Sequence, residues 1–129
     1  MPRYLQFAIA ALFVTNAACR HGTADAGDMQ PHVAPVSVNV TNNSQSSMEI
    51  FVDGGGTTYR IGSVAPGIPR RFELRAAMLA AGGHVRLWAQ ASGAGPRVTT
   101  DEIVVRPGDV VDFELTTSLV GSRATVKPR

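Results

Sequence analysis

The stretch Val36-Ser37-Val38-Asn39-Val40-Thr41, followed after the polar run Asn42–Ser47 by Met48-Glu49-Ile50-Phe51-Val52-Asp53, decides how this chain folds. Val36, Val38 and Val40 alternate with polar residues, and Met48, Ile50 and Val52 repeat the pattern. Side chains on a strand point to opposite faces in turn, so this period of two predicts strands with one face in a core and the other in water. Gly54-Gly55-Gly56 closes a hairpin into Thr57–Val64, with Tyr59 and Ile61 in phase.

The same period continues to the C-terminus. Pro66-Gly67 turns the chain into Arg70–Leu74, with Phe72 and Leu74 inward. Ala76–Ala81 is the one helix-compatible piece, expected as a single turn bridging two sheets and ended by Gly82-Gly83. His84–Ala91 places Val85, Leu87, Ala89 and Ala91 on one side, and a strand is expected near Thr99–Val105. Pro107-Gly108-Asp109 makes a tight turn, Gly108 supplying a positive φ, before Val111, Phe113 and Leu115. Ser122–Lys127 adds a last short strand. Seven or eight short strands with frequent turns and no crossover helix predict an all-β fold, a single antiparallel β-sandwich.

Working outward to the N-terminus, Arg3 is followed by the nearly unbroken apolar run Tyr4–Val14 and by the small residues Ala17 and Ala18. This is the layout of an export signal over residues 1–18, too short to span a bilayer, which takes about 20 apolar residues. Thr15-Asn16-Ala17-Ala18-Cys19 resembles the lipobox of bacterial lipoproteins, with Asn16 where that family prefers Leu, Val or Ile. The resemblance implies a lipid anchor on Cys19, and with it an exported cell-envelope protein, held at a membrane or periplasmic. The alternative is ordinary cleavage after Ala26, with Cys19 leaving in the signal. As the chain's sole cysteine, Cys19 favours lipidation, and a folded part without cysteine has no disulfide. Residues 19–35, rich in Gly, Ala, Asp and His with two prolines, have nothing to bury and form a tether. Residues 36–129, 94 in number, suffice for one β-sandwich domain.

Asn39–Asn43, Ile61-Gly62-Ser63-Val64, Phe72-Glu73-Leu74, Leu87-Trp88-Ala89 and Val105–Val111 together resemble short exported bacterial proteins of immunoglobulin-like or transthyretin-like sandwich type. These motifs are structural. The resemblance implies a fold and carries across no catalytic residue.

Candidate chemistry is sparse. Ten basic residues against eight acidic ones in 36–129 leave a net of +2, and Arg70 and Arg71 point to opposite faces, so no basic stripe suits nucleic acid. Val104–Phe113 is similar to a strand-turn-strand of cupredoxins, but a blue-copper site needs a thiolate and two imidazoles. Here Cys19 stands where the signal meets the tether, outside the domain, and His84 is the sole histidine after the tether, which holds His21 and His32. Asp109, Asp112 and Glu114 lack the dense oxygen pattern of a calcium loop; they read as a solvated face, paired across strands with Arg86 or Arg60. Gly54–Gly56 lacks the Gly-Lys-Ser/Thr of a phosphate loop. Asn39-Val40-Thr41 and Asn42-Asn43-Ser44 match a glycosylation sequon, which matters only in a eukaryotic secretory pathway. No metal or cofactor is expected.

Phe51 and Trp88 break the pattern. With Ile50 and Val52 inward, Phe51 points outward beside Glu49 and Asp53; with Leu87 and Ala89 inward, Trp88 points outward beside Arg86 and Gln90. Two outward aromatics mark a candidate contact patch for a protein partner, unless Arg stems, a loop or the chain terminus cover them. The expected function is a non-enzymatic binding or structural module, lipid-anchored to the membrane. The alternative is an accessory domain or periplasmic enzyme with a site near His84, Asp101 and Glu102. Homodimer formation through edge strands is a further expectation.

Overall fold

A computed structural model describes residues 33–129. The expected signal, Cys19 and its lipidation, His21, His32 and nearly all of the tether lie outside the described residues. Among the described residues nine strands, against the seven or eight expected, follow in order: β1 (Val36–Asn42), β2 (Met48–Gly54), β3 (Thr57–Val64), β4 (Arg70–Leu74), β5 (His84–Ala91), β6 (Arg97–Thr99), β7 (Ile103–Val104), β8 (Val110–Leu115) and β9 (Arg123–Lys127). They form two sheets, one ordered β4-β1-β8-β9 and the other β3-β2-β5-β6, with β7 also pairing β5. The inward residues of both sheets, among them Val38, Met48, Ile50, Leu87, Val111, Phe113 and Leu115, are sealed from solvent in one core. The described residues thus form an all-β fold, with two packed sheets rich in antiparallel pairings.

The polar–apolar alternation places each of these residues on the face it predicts. The hairpin at Gly54–Gly56 also forms as expected. Gly55 and Gly56 have φ of 60° and 79°, the two consecutive positive values of a type I′ turn, whose twist matches that of the flanking strands.

Four features depart from the sequence reading. First, not every pairing is antiparallel: β1 and β8 run parallel, with Val38 opposite Val111 and Val40 opposite Phe113. Residue alternation is the same in both ladder types, so the pattern carries no information on direction. Second, β3 is bulged where Ile50 pairs Gly62 and Phe51 pairs Arg60, leaving Ile61 as the extra residue. Past the bulge the inward positions change from Tyr59 to Gly62 and Val64. Phe72 uses the space at Gly62, its Cε1 lying 2.4 Å from where a Cβ would sit.

Third, the bridge from β4 to β5 is two 3-10 turns, Ala76–Met78 and Ala81–Gly83, not one turn. At Gly83 the chain runs so close to β7 that a Cβ would lie 2.0 Å from the Val105 carbonyl oxygen, and φ is +79°. Only glycine combines that approach with that conformation. Fourth, the strand expected near Thr99–Val105 is divided into β6 and β7. At the break the amide of the buried Thr100 still donates to the Leu87 carbonyl at 2.9 Å, and its hydroxyl takes the place of the returning ladder bond. Its Oγ1 accepts from the Leu87 amide at 3.2 Å and donates to the Leu87 carbonyl at 3.0 Å.

Candidate interaction surface

The register of the β3-β2-β5-β6 sheet assembles its outer face. Phe51 on β2 lies opposite Trp88 on β5 and Arg60 on β3, while Trp88 lies opposite Thr99 on β6. The pairing brings the two aromatics into a parallel stack, ring centroids 3.9 Å apart and planes within 8°. From the β6 side the Arg97 guanidinium lies 3.7 Å from the Trp88 ring centroid. Trp88 is therefore held between a ring and a cation and is only 8% exposed, whereas Phe51 is half-buried. Each contact of this kind adds about 0.5–1.5 kcal/mol beyond the area it buries.

Polar groups fix the stack in place. The indole Nε1 donates to Asp53 Oδ1 at 3.0 Å, and the same oxygen accepts from Thr58 Oγ1 at 2.6 Å. Asp53 and Thr58 flank the Gly55-Gly56 turn as register partners, so the hairpin geometry sets the carboxylate that orients Trp88. Arg60 donates to Glu49 at 3.0 Å beside Phe51. Arg97 is the member that the sequence reading does not reach. Its outward direction follows from Val98 facing the core, but its place over Trp88 depends on the β5–β6 register, which no local pattern encodes.

At one end of this face a shallow cavity of about 250 Å³ is lined by Asp53, Gly54, Ala80, His84, Arg86 and Glu102 among others. His84 Nδ1 lies 2.9 Å from Glu102 Oε1, and both side chains are about half exposed. Two of the three residues expected near one another thus meet. Asp101 does not join them: it is exposed and borders a separate depression with Ser122 and Arg123. The two side chains are within hydrogen-bond reach, but the lining of their cavity includes no hydroxyl or thiol side chain to activate. Among the described residues no group of three or more His, Cys, Asp or Glu is placed to hold a metal ion. Among the same residues no helix is long and apolar enough to cross a membrane.

The outer face of the other sheet carries two of the acidic residues considered above, Asp112 and Glu114. Their cationic partners are not Arg60 or Arg86, which stand on the opposite sheet. Asp112 pairs with Lys127, and Glu114 with Arg123 at 3.4 Å, both across the β8–β9 ladder. Asp109 is a buried turn residue whose Oδ2 accepts from the Arg106 amide at 2.8 Å. The Lys127 ammonium, and after it the Asn39 amide that donates at 3.1 Å, hold the Asp112 carboxyl below its ordinary value, against a weaker opposing effect of burial.

A carboxyl with a lowered folded-state pKa stabilises the fold above its unfolded value, and that contribution disappears as pH falls through the folded value. The pair is exposed, so the gain is below about 1 kcal/mol. Asp112→Asn should therefore lower the thermal midpoint slightly near neutral pH, and the difference should shrink as the pH falls through the folded-state value of Asp112. Melting curves whose offset stays constant as the pH falls would contradict this.

An NMR structure of a protein from Eubacterium rectale is similar to this chain over 78% of its length and 95% of the other's, with 9% identity and a TM-score of 0.43. No family model matches the chain, and no curated protein does.

Proposed function

We propose that this protein is a non-enzymatic cell-envelope module, lipid-anchored through Cys19, whose sandwich binds a protein partner with the face centred on Phe51 and Trp88. The Arg3–Ala18 signal layout and the small residues before Cys19 support the location. One observation carries the binding reading: the half-buried Phe51 and the exposed Arg97 stand on the outer side of the sheet, held in a row by the covered Trp88 between them. Aromatics and arginine are the residues that supply most of the energy at protein interfaces.

Of the two sandwich types that the sequence resembles, the transthyretin-like one is better supported. The immunoglobulin constant-type arrangement keeps its first and second strands in one sheet. Here β1 and β2 belong to different sheets, and β1 runs parallel to β8. A partner other than a second copy is favoured, since the β3 edge carries a bulge and its Ser63 carbonyl accepts from Arg70 at 2.8 Å, features that oppose strand addition.

The test is a photo-crosslinking amino acid at position 51 of the full chain, compared with one at Thr125 on the opposite outer face. Irradiation of intact cells should give one discrete adduct from position 51 and none from position 125. No adduct from either site, or the same adducts from both, would remove this face from consideration.

A further inference from the structure

The end of the sandwich where residues 43–47, 92–96 and 116–122 converge has a character unlike the rest of the surface. None of these residues carries a charge, in a chain with 12 basic and 10 acidic ones. The three loops surround an open cavity of about 650 Å³, within the range of about 300–1,000 Å³ usual for small-molecule sites. Ala94 and Leu119, with φ of 62° and 65°, are the non-glycine residues of positive φ among those described, and each lies in one of these loops. Strain of this kind gathers where a surface must hold a set shape.

The loops are fixed from behind. Asn42 is fully buried, and its amide donates to the Ser46 carbonyl at 2.8 Å and the Val64 carbonyl at 2.9 Å. Its Oδ1 accepts from the Ser44 amide at 3.0 Å and the Ser44 hydroxyl at 2.6 Å. The Ser92 amide donates to the Ser47 carbonyl at 3.0 Å, tying the first two loops together. Across the cavity Thr116 Oγ1 donates to the Val120 carbonyl at 2.7 Å, and Ser122 Oγ accepts from the Thr116 amide at 3.0 Å. These groups form the frame. Gln45 and Ser46 on one lip, and Thr117 and Ser118 on the other, are exposed and their side chains have no hydrogen bond among the described residues. The half-buried Leu119 and the exposed Pro96 contribute an apolar lining between them, above the sealed Met48.

We infer that this cleft binds a neutral saccharide of one or two rings. A sugar ring presents apolar C–H faces edged by hydroxyls, which matches an apolar lining between two lips of amide and hydroxyl groups. A charged ligand would find no counter-charge in these loops. A peptide would find no aromatic or arginine anchor in the lining, which protein contacts usually need.

Amide spectra of the full, 15N-labelled chain should test this with N-acetylglucosamine and cellobiose as probes, and with glucuronate and a capped Ala-Ser-Ala peptide for comparison. Saturable shifts at Gln45, Ser46, Thr117 and Ser118 are expected from at least one neutral sugar. Combining Thr117→Val with Ser118→Ala should weaken that sugar about tenfold. Gln45→Leu, on the opposite lip, serves the same purpose should the double variant fail to fold. Shifts from the peptide and none from either sugar, from glucuronate more strongly than from the neutral sugars, or from no probe at all would overturn the assignment. Unchanged sugar affinity in both variants would do the same.

Discussion

Replacing Asn42 by alanine is expected to cost about 3 kcal/mol, because the change strips partners from several buried groups at once. The Val64 carbonyl and the Ser44 amide and hydroxyl all lose the bond that Asn42 gives them, where the Asn42 side chain itself is out of reach of water. For a domain of this size each kcal/mol moves the thermal midpoint by roughly 4–8 °C, so a drop of about 12–24 °C is anticipated. Asn43→Ala, one residue on and exposed, should shift it hardly at all. Thermal unfolding of the three full-length proteins distinguishes these outcomes. A loss of less than about 1 kcal/mol in Asn42→Ala would mean that the loop finds its shape without the amide.

Trp88→Ala is expected to be nearly as damaging, at about 2–3 kcal/mol. Truncating a buried tryptophan in a core costs about 3–5 kcal/mol, and the lower figure here reflects a gap that water can enter from the open side of the sheet. The variant loses the Phe51 stack, the Arg97 cation contact and the bond to Asp53 together. Phe51→Ala removes one side of the same stack from a half-buried position and should cost about 1 kcal/mol. Denaturant titration of both variants measures the inequality, and near-ultraviolet circular dichroism reports whether the stack persists. Equal, small losses would show that the rings do not stack in solution. The consequence for binding studies is practical: Phe51 and Arg97 are the positions to substitute, because loss of Trp88 confounds contact with stability.

What the sequence reveals here follows from the range of the interaction involved. Val36, Val38 and Val40 identify their own face, as do Met48, Ile50 and Val52, because alternation is a property of neighbours along the chain. Gly55 and Gly56 likewise announce their turn. Ile61 does not announce a bulge, since Tyr59 and Ile61 obey the alternation and the slip is visible only against β2. Thr100 reads as one more strand residue, although at the break between β6 and β7 its hydroxyl takes the Leu87 amide that a ladder carbonyl would accept.

The surface residues divide in the same way. Phe51 and Trp88 stand out on their own strands as bulky residues in outward phase, so each is found separately. That they touch, and that Arg97 completes the row, depends on two inter-strand registers. His84 and Glu102 meet because Gly83 lets β5 begin beside β7, whereas Asp101, adjacent to Glu102, faces another way. The loop-end cleft is legible only as a lack of charge in three separate stretches, whose convergence is a fact of topology.

The central place of β1 governs when this domain can come into being. Asn39 and its partner Asp112 are 73 positions apart, so the strand made first must wait for one of the last before its ladder is complete. Closing so long a loop is a slow step compared with forming hairpins. Until then a nascent chain carries a valine-rich strand with one open side, the form most prone to pair with the wrong neighbour. Emergence from the N-terminus therefore yields a vulnerable interval that lasts until β8 is available to pair.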